Sequence, residues 1–151
     1  AAGVGELTLV EVGVQRGRFG HSLLSALGLG SAPGPGRRQA RRQRRRHGLP
    51  EDLQVAPLTP WAGGPGCLKE RVRYVAVDAW KKQGADYNDT ANAPSNVQVV
   101  NLRATIDLLA PFWSAVQIVQ QPSLSAARLF EPGSLHFVYI DARHDYASVL
   151  A

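Results

Sequence analysis

"LTLVEVGVQRGRFGHSLL", Leu7 to Leu24, is the stretch on which the fold turns. An apolar run ends on Glu11-Val12-Gly13, and glycines follow at Gly17 and Gly20. Phe19, Leu23, Leu24 and Leu27 then recur at helical spacing. The stretch predicts a strand over Leu7–Val12, a tight glycine turn, and a helix over Phe19–Leu27 that stops at Gly28. A strand passing through such a turn into a helix is the opening of a crossover unit in a parallel sheet.

The rest of the chain keeps that alternation. "YVAVD", Tyr74 to Asp78, reads as a second strand. Asn96 to Leu109 carries a strand-like "NVQVV", but Pro94-Ser95 before it and Pro111 after it are helix punctuation, so a helix is expected. Ala115 to Gln120 is a third strand. Ser123 is expected to cap a short helix through Phe130, ended by Gly133, and "HFVYID", His136 to Asp141, is a fourth strand. There are no internal repeats.

Between the first helix and the second strand the pattern fails. From Gly28 to about Gly66 the sequence is rich in Gly, Pro and Arg, without a sustained period, and is expected to be a disordered insertion. Seven of the 17 Lys and Arg residues fall in "RRQARRQRRR", Arg37 to Arg46, so the formal charge of +5 describes the insertion; the remaining ten face 12 acids. Nucleic-acid binding through Arg37 to Arg46 is an alternative function, disfavoured because no aromatic residues interleave with the arginines.

The 151 residues, 44% of them hydrophobic, suffice for one sizeable core. No apolar run approaches the roughly 20 residues of a membrane span, so no membrane partner is expected. The single Cys67 excludes an internal disulfide and a cysteine metal cluster, in keeping with a reducing, cytoplasmic setting. The first residues are neither a Met start nor a signal peptide, so the native N-terminus is expected to lie upstream.

In open α/β sheets ligands bind beyond the carboxyl ends of the strands, where strand order reverses. Glu11 to Gly20 belongs in that crevice. Gly13 and Gly17 let the backbone approach a ligand, the following helix start favours anionic or polar groups, and Glu11 suits a cationic one. A nucleotide-type site also expects an acid at the end of the second strand, about 20 residues onward, to hold ribose hydroxyls. Asp78 lies 67 positions after Glu11, and about 24 once the 43 residues from Gly28 to Glu70 are set aside. Asp78 is therefore the ribose candidate. The dinucleotide fingerprint G-x-G-x-x-G is not met, since Gln15 and Arg18 stand where its later glycines belong. An NAD(P)-dependent oxidoreductase of Rossmann type becomes the runner-up, and a ligand with one ribose and no pyrophosphate fits better.

At these positions "VEVGVQRGRFG", "YVAVDAW", "DYNDTAN" and "GSLHFVYIDARHDYASVL" together resemble class I S-adenosylmethionine-dependent methyltransferases, most closely the methyltransferase-24-like group of plants, algae and protists. The resemblance covers all but the Arg-rich insertion. It implies an α/β fold of Rossmann-like, doubly wound type, with S-adenosyl-L-methionine as cofactor and methyl transfer to a small-molecule O or N nucleophile. It implies that Glu11, Gly13 and Gly17 line the methionine part of the cofactor, that Asp78 binds the ribose, and that Ser123 lies beside the adenine. Asp141 would sit near the transferred methyl group. The sequence departs from the family in its insertion, in His136, where relatives often carry an acid, and in ending at Ala151, whereas the family fold continues through three more strands. A partial methyltransferase domain, incomplete at the C-terminus and inactive alone, is the resulting expectation.

Methyl transfer from a sulfonium needs an in-line nucleophile, and a base where that nucleophile is a hydroxyl. Asp141, His144, Asp145 and Tyr146 form the dense polar cluster at a strand end, with Asp141 and His144 as catalytic candidates. A single carboxylate is too little for a metal site. Trp80 could line the cofactor mouth or pack; Tyr87 is expected to pack.

Overall fold

The computed structural model describes residues 6–30 and 71–150. The first strand, β1 (Leu7–Val12), leads into α1 (Arg18–Ala26), and the second, β2 (Val72–Asp78), is followed by α2 (Ser95–Leu109) and a 3-10 turn at Ala110–Phe112. Then come β3 (Val116–Gln120), α3 (Ser123–Ala127), β4 (Phe137–Ile140) and α4 (Tyr146–Leu150). The fold is α/β: a four-stranded, all-parallel sheet in the order β3-β2-β1-β4.

Central strands buried on both faces read as continuous apolar runs, and "YVAV" in β2 does so. On one face Tyr74 and Ala76 pack with Leu24 of α1 and with Leu102 and Leu109 of α2. On the other, Val75 and Val77 join Val10, Val119 and Ala126 of α3. The chain crosses from β1 to β2 to β3 in one direction and then returns to the far side of β1, where β4 pairs in register, Leu9 with Phe137 through Val12 with Ile140. Strand order therefore reverses between β1 and β4.

α2 forms despite its β-branched residues because Gln98, Asn101, Leu102, Thr105 and Leu109 fall on one buried face at helical spacing, leaving Val99 and Val100 outside. Its first turn is closed by the carbonyl of Pro94, which accepts from the N–H groups of Val97 and Gln98. α3 starts in the same way, and this corrects the expected cap. Pro122 occupies the cap position and its carbonyl accepts from Ser125 and Ala126, so Ser123 is already the first helical residue and makes no capping bond. The helix also ends at Ala127 and not Phe130, giving way to turns in which Leu129 and Phe130 donate to Ala126 and Ala127.

The expected insertion lies outside the described residues except at its start, where its boundary moves. Leu29 is buried in the core beside Leu24 and Phe112, and its N–H donates to the Leu24 carbonyl, so Gly28–Gly30 belong to the ordered unit. The residues Arg37 to Arg46 lie outside the described part. Among the described residues no helix is long and apolar enough to cross a membrane.

One glycine decides how β4 joins the sheet. Gly13 has φ +90°, and a Cβ there would overlap the backbone carbonyl of Asp141, while Asp141 N–H donates to Val12 at 2.8 Å. Gly28, at φ +68°, has open space around it. Gly28→Ala should thus cost only the left-handed backbone penalty, about 1 kcal/mol. Gly13→Ala adds a backbone overlap and should cost about 3 kcal/mol or more, with loss of protection on the β1–β4 hydrogen bonds. Urea denaturation with amide exchange distinguishes the two.

Candidate functional site

Where strand order reverses, the ends of β1 and β4 and the start of α1 enclose a crevice of about 200 Å³, lined by Glu11, Gly13, Gln15, Arg18, Tyr139 and Asp141 among others. Complete small-molecule pockets are typically roughly 300 Å³ or more, so the crevice accommodates one end of an extended ligand. One wall is aromatic. Phe19 of α1 stacks on Tyr139 of β4 with ring centroids 4.1 Å apart.

The floor is the Glu11 carboxylate, 2% exposed. It accepts a hydrogen bond from the Tyr74 hydroxyl and another from the backbone N–H of Gly20 in the first turn of α1. Burial pushes its pKa up to about 7, the Gly20 N–H opposes this, and the negative charges of Asp141 and Asp78 raise it further. The crevice thus presents a carboxyl group that changes charge near neutrality. Arg16 and Arg18 stand at its rim, so both signs of charge surround the opening.

The glycine turn owes its shape to contacts from three elements. Gly13 N–H donates to Val77 at 2.9 Å, and Gln15 N–H donates to the Asp78 carboxylate at 2.9 Å. The other Asp78 oxygen accepts from Trp80 N–H at 2.7 Å. The Gln15 carbonyl accepts from the Trp80 indole at 3.0 Å and the Thr105 hydroxyl at 3.2 Å, while Arg16 Nε donates to Asn101 at 2.9 Å. These bonds hold Gln15 at φ +51°, unusual for a residue with a side chain. Trp80 is buried, and its indole supports the turn from beneath.

Of the residues expected from sequence, Glu11, Gly13 and Asp141 line one crevice. Asp78 adjoins it through the Gln15 backbone. Gly17 does not line it; it is buried beneath α2, where a Cβ would come within 3.1 Å of Thr105. Ser123 is exposed, beyond the carboxyl end of the edge strand β3. His144 Nε2 faces Asp141 Oδ1 at 3.3 Å, both partly open to solvent. The rest of the expected polar cluster divides: Asp145 pairs with Arg143 at 2.7 Å and Tyr146 is exposed. The hydrogen bond from Arg143, with support from Ser148, holds the Asp145 carboxyl below its ordinary range. Arg143 also reaches Asp86 at 3.3 Å and lies over the Tyr87 ring at 4.5 Å, so Tyr87 packs between the loops that follow β2 and β4.

Sequence reasoning missed Tyr74, Asn101 and Thr105. For the latter two a signal existed, because Gln98, Asn101 and Thr105 repeat at helical spacing on the face that also carries Leu102 and Leu109. Polar groups recurring on a buried stripe must bond to something.

Glu11 gives a pH dependence whose sign follows from its shift. Its pKa is raised from 4.5 in the unfolded chain to about 7 in the fold, so folding takes up a proton between those values. The protonated carboxyl's contribution is complete below about pH 4.5 and is lost as pH rises through 7, about 3 kcal/mol in all. Glu11→Gln should remove that slope and leave the protein more stable than wild type at pH 8, as urea denaturation at several pH values would reveal. No protein-family model, curated protein or solved structure matches the chain.

Proposed function

We propose that the protein is an S-adenosylmethionine-dependent methyltransferase of the class I, Rossmann-like type, acting on a small-molecule O or N nucleophile. The observation that carries this reading is the crevice at the reversal of strand order, with a buried carboxylate at the end of β1 and a second acid, Asp141, at the end of β4. The order β3-β2-β1-β4 agrees with the first four strands of doubly wound nucleotide-binding sheets.

The donor set fits such a cofactor. Glu11 and Asp141 suit its ammonium and sulfonium charges, Arg18 and the adjoining backbone N–H groups suit its carboxylate, and Gly13 keeps a side chain out of the space between the two strand ends. Asp78 accepts two backbone bonds, and a carboxylate has about four acceptor sites, so it retains capacity for ribose hydroxyls. Gln15, the residue at the second glycine position of a dinucleotide fingerprint, brings a side chain into the turn and disfavours a pyrophosphate.

Bound S-adenosylmethionine supplies an electrophilic methyl group on a sulfonium. The chain's own part is to hold the reactants in line and to take up the proton of a hydroxyl nucleophile. His144 is suited to that proton transfer, because its Nε2 stands 3.3 Å from Asp141 Oδ1 and the carboxylate steadies the ring at the end of β4. Phe19 and Tyr139 limit water beside the crevice.

Titration calorimetry with S-adenosylmethionine and with NAD is the test. Binding of the first and not the second is expected, and Asp78→Ala should weaken it about tenfold or more through loss of the ribose bonds and loosening of Gln15. Tight NAD binding, or an unchanged affinity in Asp78→Ala, would overturn the reading.

A further inference from the structure

We infer that Tyr74 is a positioning residue of the crevice, whose hydroxyl, lodged in the space that Gly20 leaves open, aims and charges the Glu11 carboxylate for a cationic ligand group. This rests on the proposed function for the identity of the ligand. The action of Tyr74 on Glu11 stands apart from it.

Tyr74 is fully buried at 0% exposure in the central strand β2, on the face where Leu24, Leu102 and Leu109 pack. A phenylalanine would satisfy that surrounding. A buried hydroxyl without a partner costs free energy, so its presence among leucines calls for a bond, and the bond it makes is to Glu11. Room for it comes from α1: a Cβ at Gly20 would overlap the Tyr74 hydroxyl, and Gly20 N–H donates to the same carboxylate. Two donors from two elements thus converge on one buried acid.

The direction of the effect follows from hydrogen-bond chemistry. An ionised carboxylate only accepts, so the Tyr74 hydroxyl must donate to it, and a donor to the charged form favours ionisation. The other titratable groups around Glu11 are Arg16 in the glycine turn, Arg18 at the start of α1, Asp78 at the end of β2, Tyr139 in β4 and Asp141 just beyond it. Asp78 and Asp141 oppose ionisation of Glu11. Burial opposes it most, the Gly20 N–H offsets part of this, and the Tyr74 hydroxyl adds a second donor that favours the charged form when a cation arrives.

Tyr74→Phe keeps the ring and removes the donor. In the ligand-free protein, carbon-detected NMR of the Glu11 carboxyl should show its titration midpoint rising by about one pH unit. In calorimetry, the loss of S-adenosylmethionine affinity relative to wild type should be nearly tenfold at about pH 6 and shrink to about twofold at pH 8. Taking the ratio at each pH cancels the titration of the ligand itself. In a Glu11→Gln background the same substitution should produce a ratio independent of pH, which separates this role from mere packing. An unmoved Glu11 midpoint, or an equal loss of affinity at every pH, would overturn the inference. Failure of the wild type to bind S-adenosylmethionine would instead sink the proposed function, with the NMR midpoint still deciding the role of Tyr74.

Discussion

The backbone of β1 leaves the sheet at Gly13 in direct contact with the backbone that leaves β4 at Asp141, and most of the site depends on that approach. Parallel strands share a pleat and end together, so two chains turning away from adjacent strands compete for one volume. A side chain at Gly13 would occupy it. With none there, Asp141 N–H reaches Val12, the two strand ends stay paired, and Glu11 and Asp141 open onto one crevice. Strand order makes the crevice, since the chain departs from β1 toward β2 and returns to β4 on the opposite side.

Placing an acid on the floor of that crevice opposes the burial of the surrounding core. Glu11 shares its face with Leu7 and Leu9, which pack against the apolar cluster of Tyr74, Leu24 and Leu102. The conflict is relieved by the Tyr74 hydroxyl, by the Gly20 N–H, and by a pKa of about 7 that lets the group be neutral for part of the physiological range. Such a group is poorly suited to stabilising a fold and well suited to meeting a charged ligand. The glycine turn above it is fixed by Asp78, Trp80, Asn101 and Thr105, which leaves little reorganisation for a ligand to impose.

β4 joins the site to a less buried part of the molecule. Its Phe137 and Tyr139 face Phe19, while Val138 and Ile140 on the opposite face are exposed, Ile140 at 71%. Among the described residues β4 pairs with β1 and with no other strand. The Asp141–His144 pair stands at its end and shares this openness, in contrast to the buried Glu11 on the neighbouring strand.

Elements whose side-chain period matches their burial were legible in the sequence. The apolar run of β2, the stripe of Leu23, Leu24 and Leu27 around α1, and the proline punctuation of α2 are local, and local physics places the four strands and the helices between them. Glu11 and Gly13 were placed in the crevice by the rule for strand ends of a crossover sheet, and Asp141 was set beside them by the resemblance alone; in the structure the three line one crevice. What only tertiary structure decided lies between elements distant in sequence. Tyr74 meets Gly20 across the core, Thr105 closes over Gly17, and Leu29 folds under α1 although its neighbours in sequence are Gly, Ser and Pro. Ser123 read as a cap because Ser caps helices, yet the Pro122 carbonyl already closed that turn. A pattern of residue types records which side of an element faces inward; which atom stands opposite depends on how two elements are set against each other, and that is determined by packing over the whole sheet.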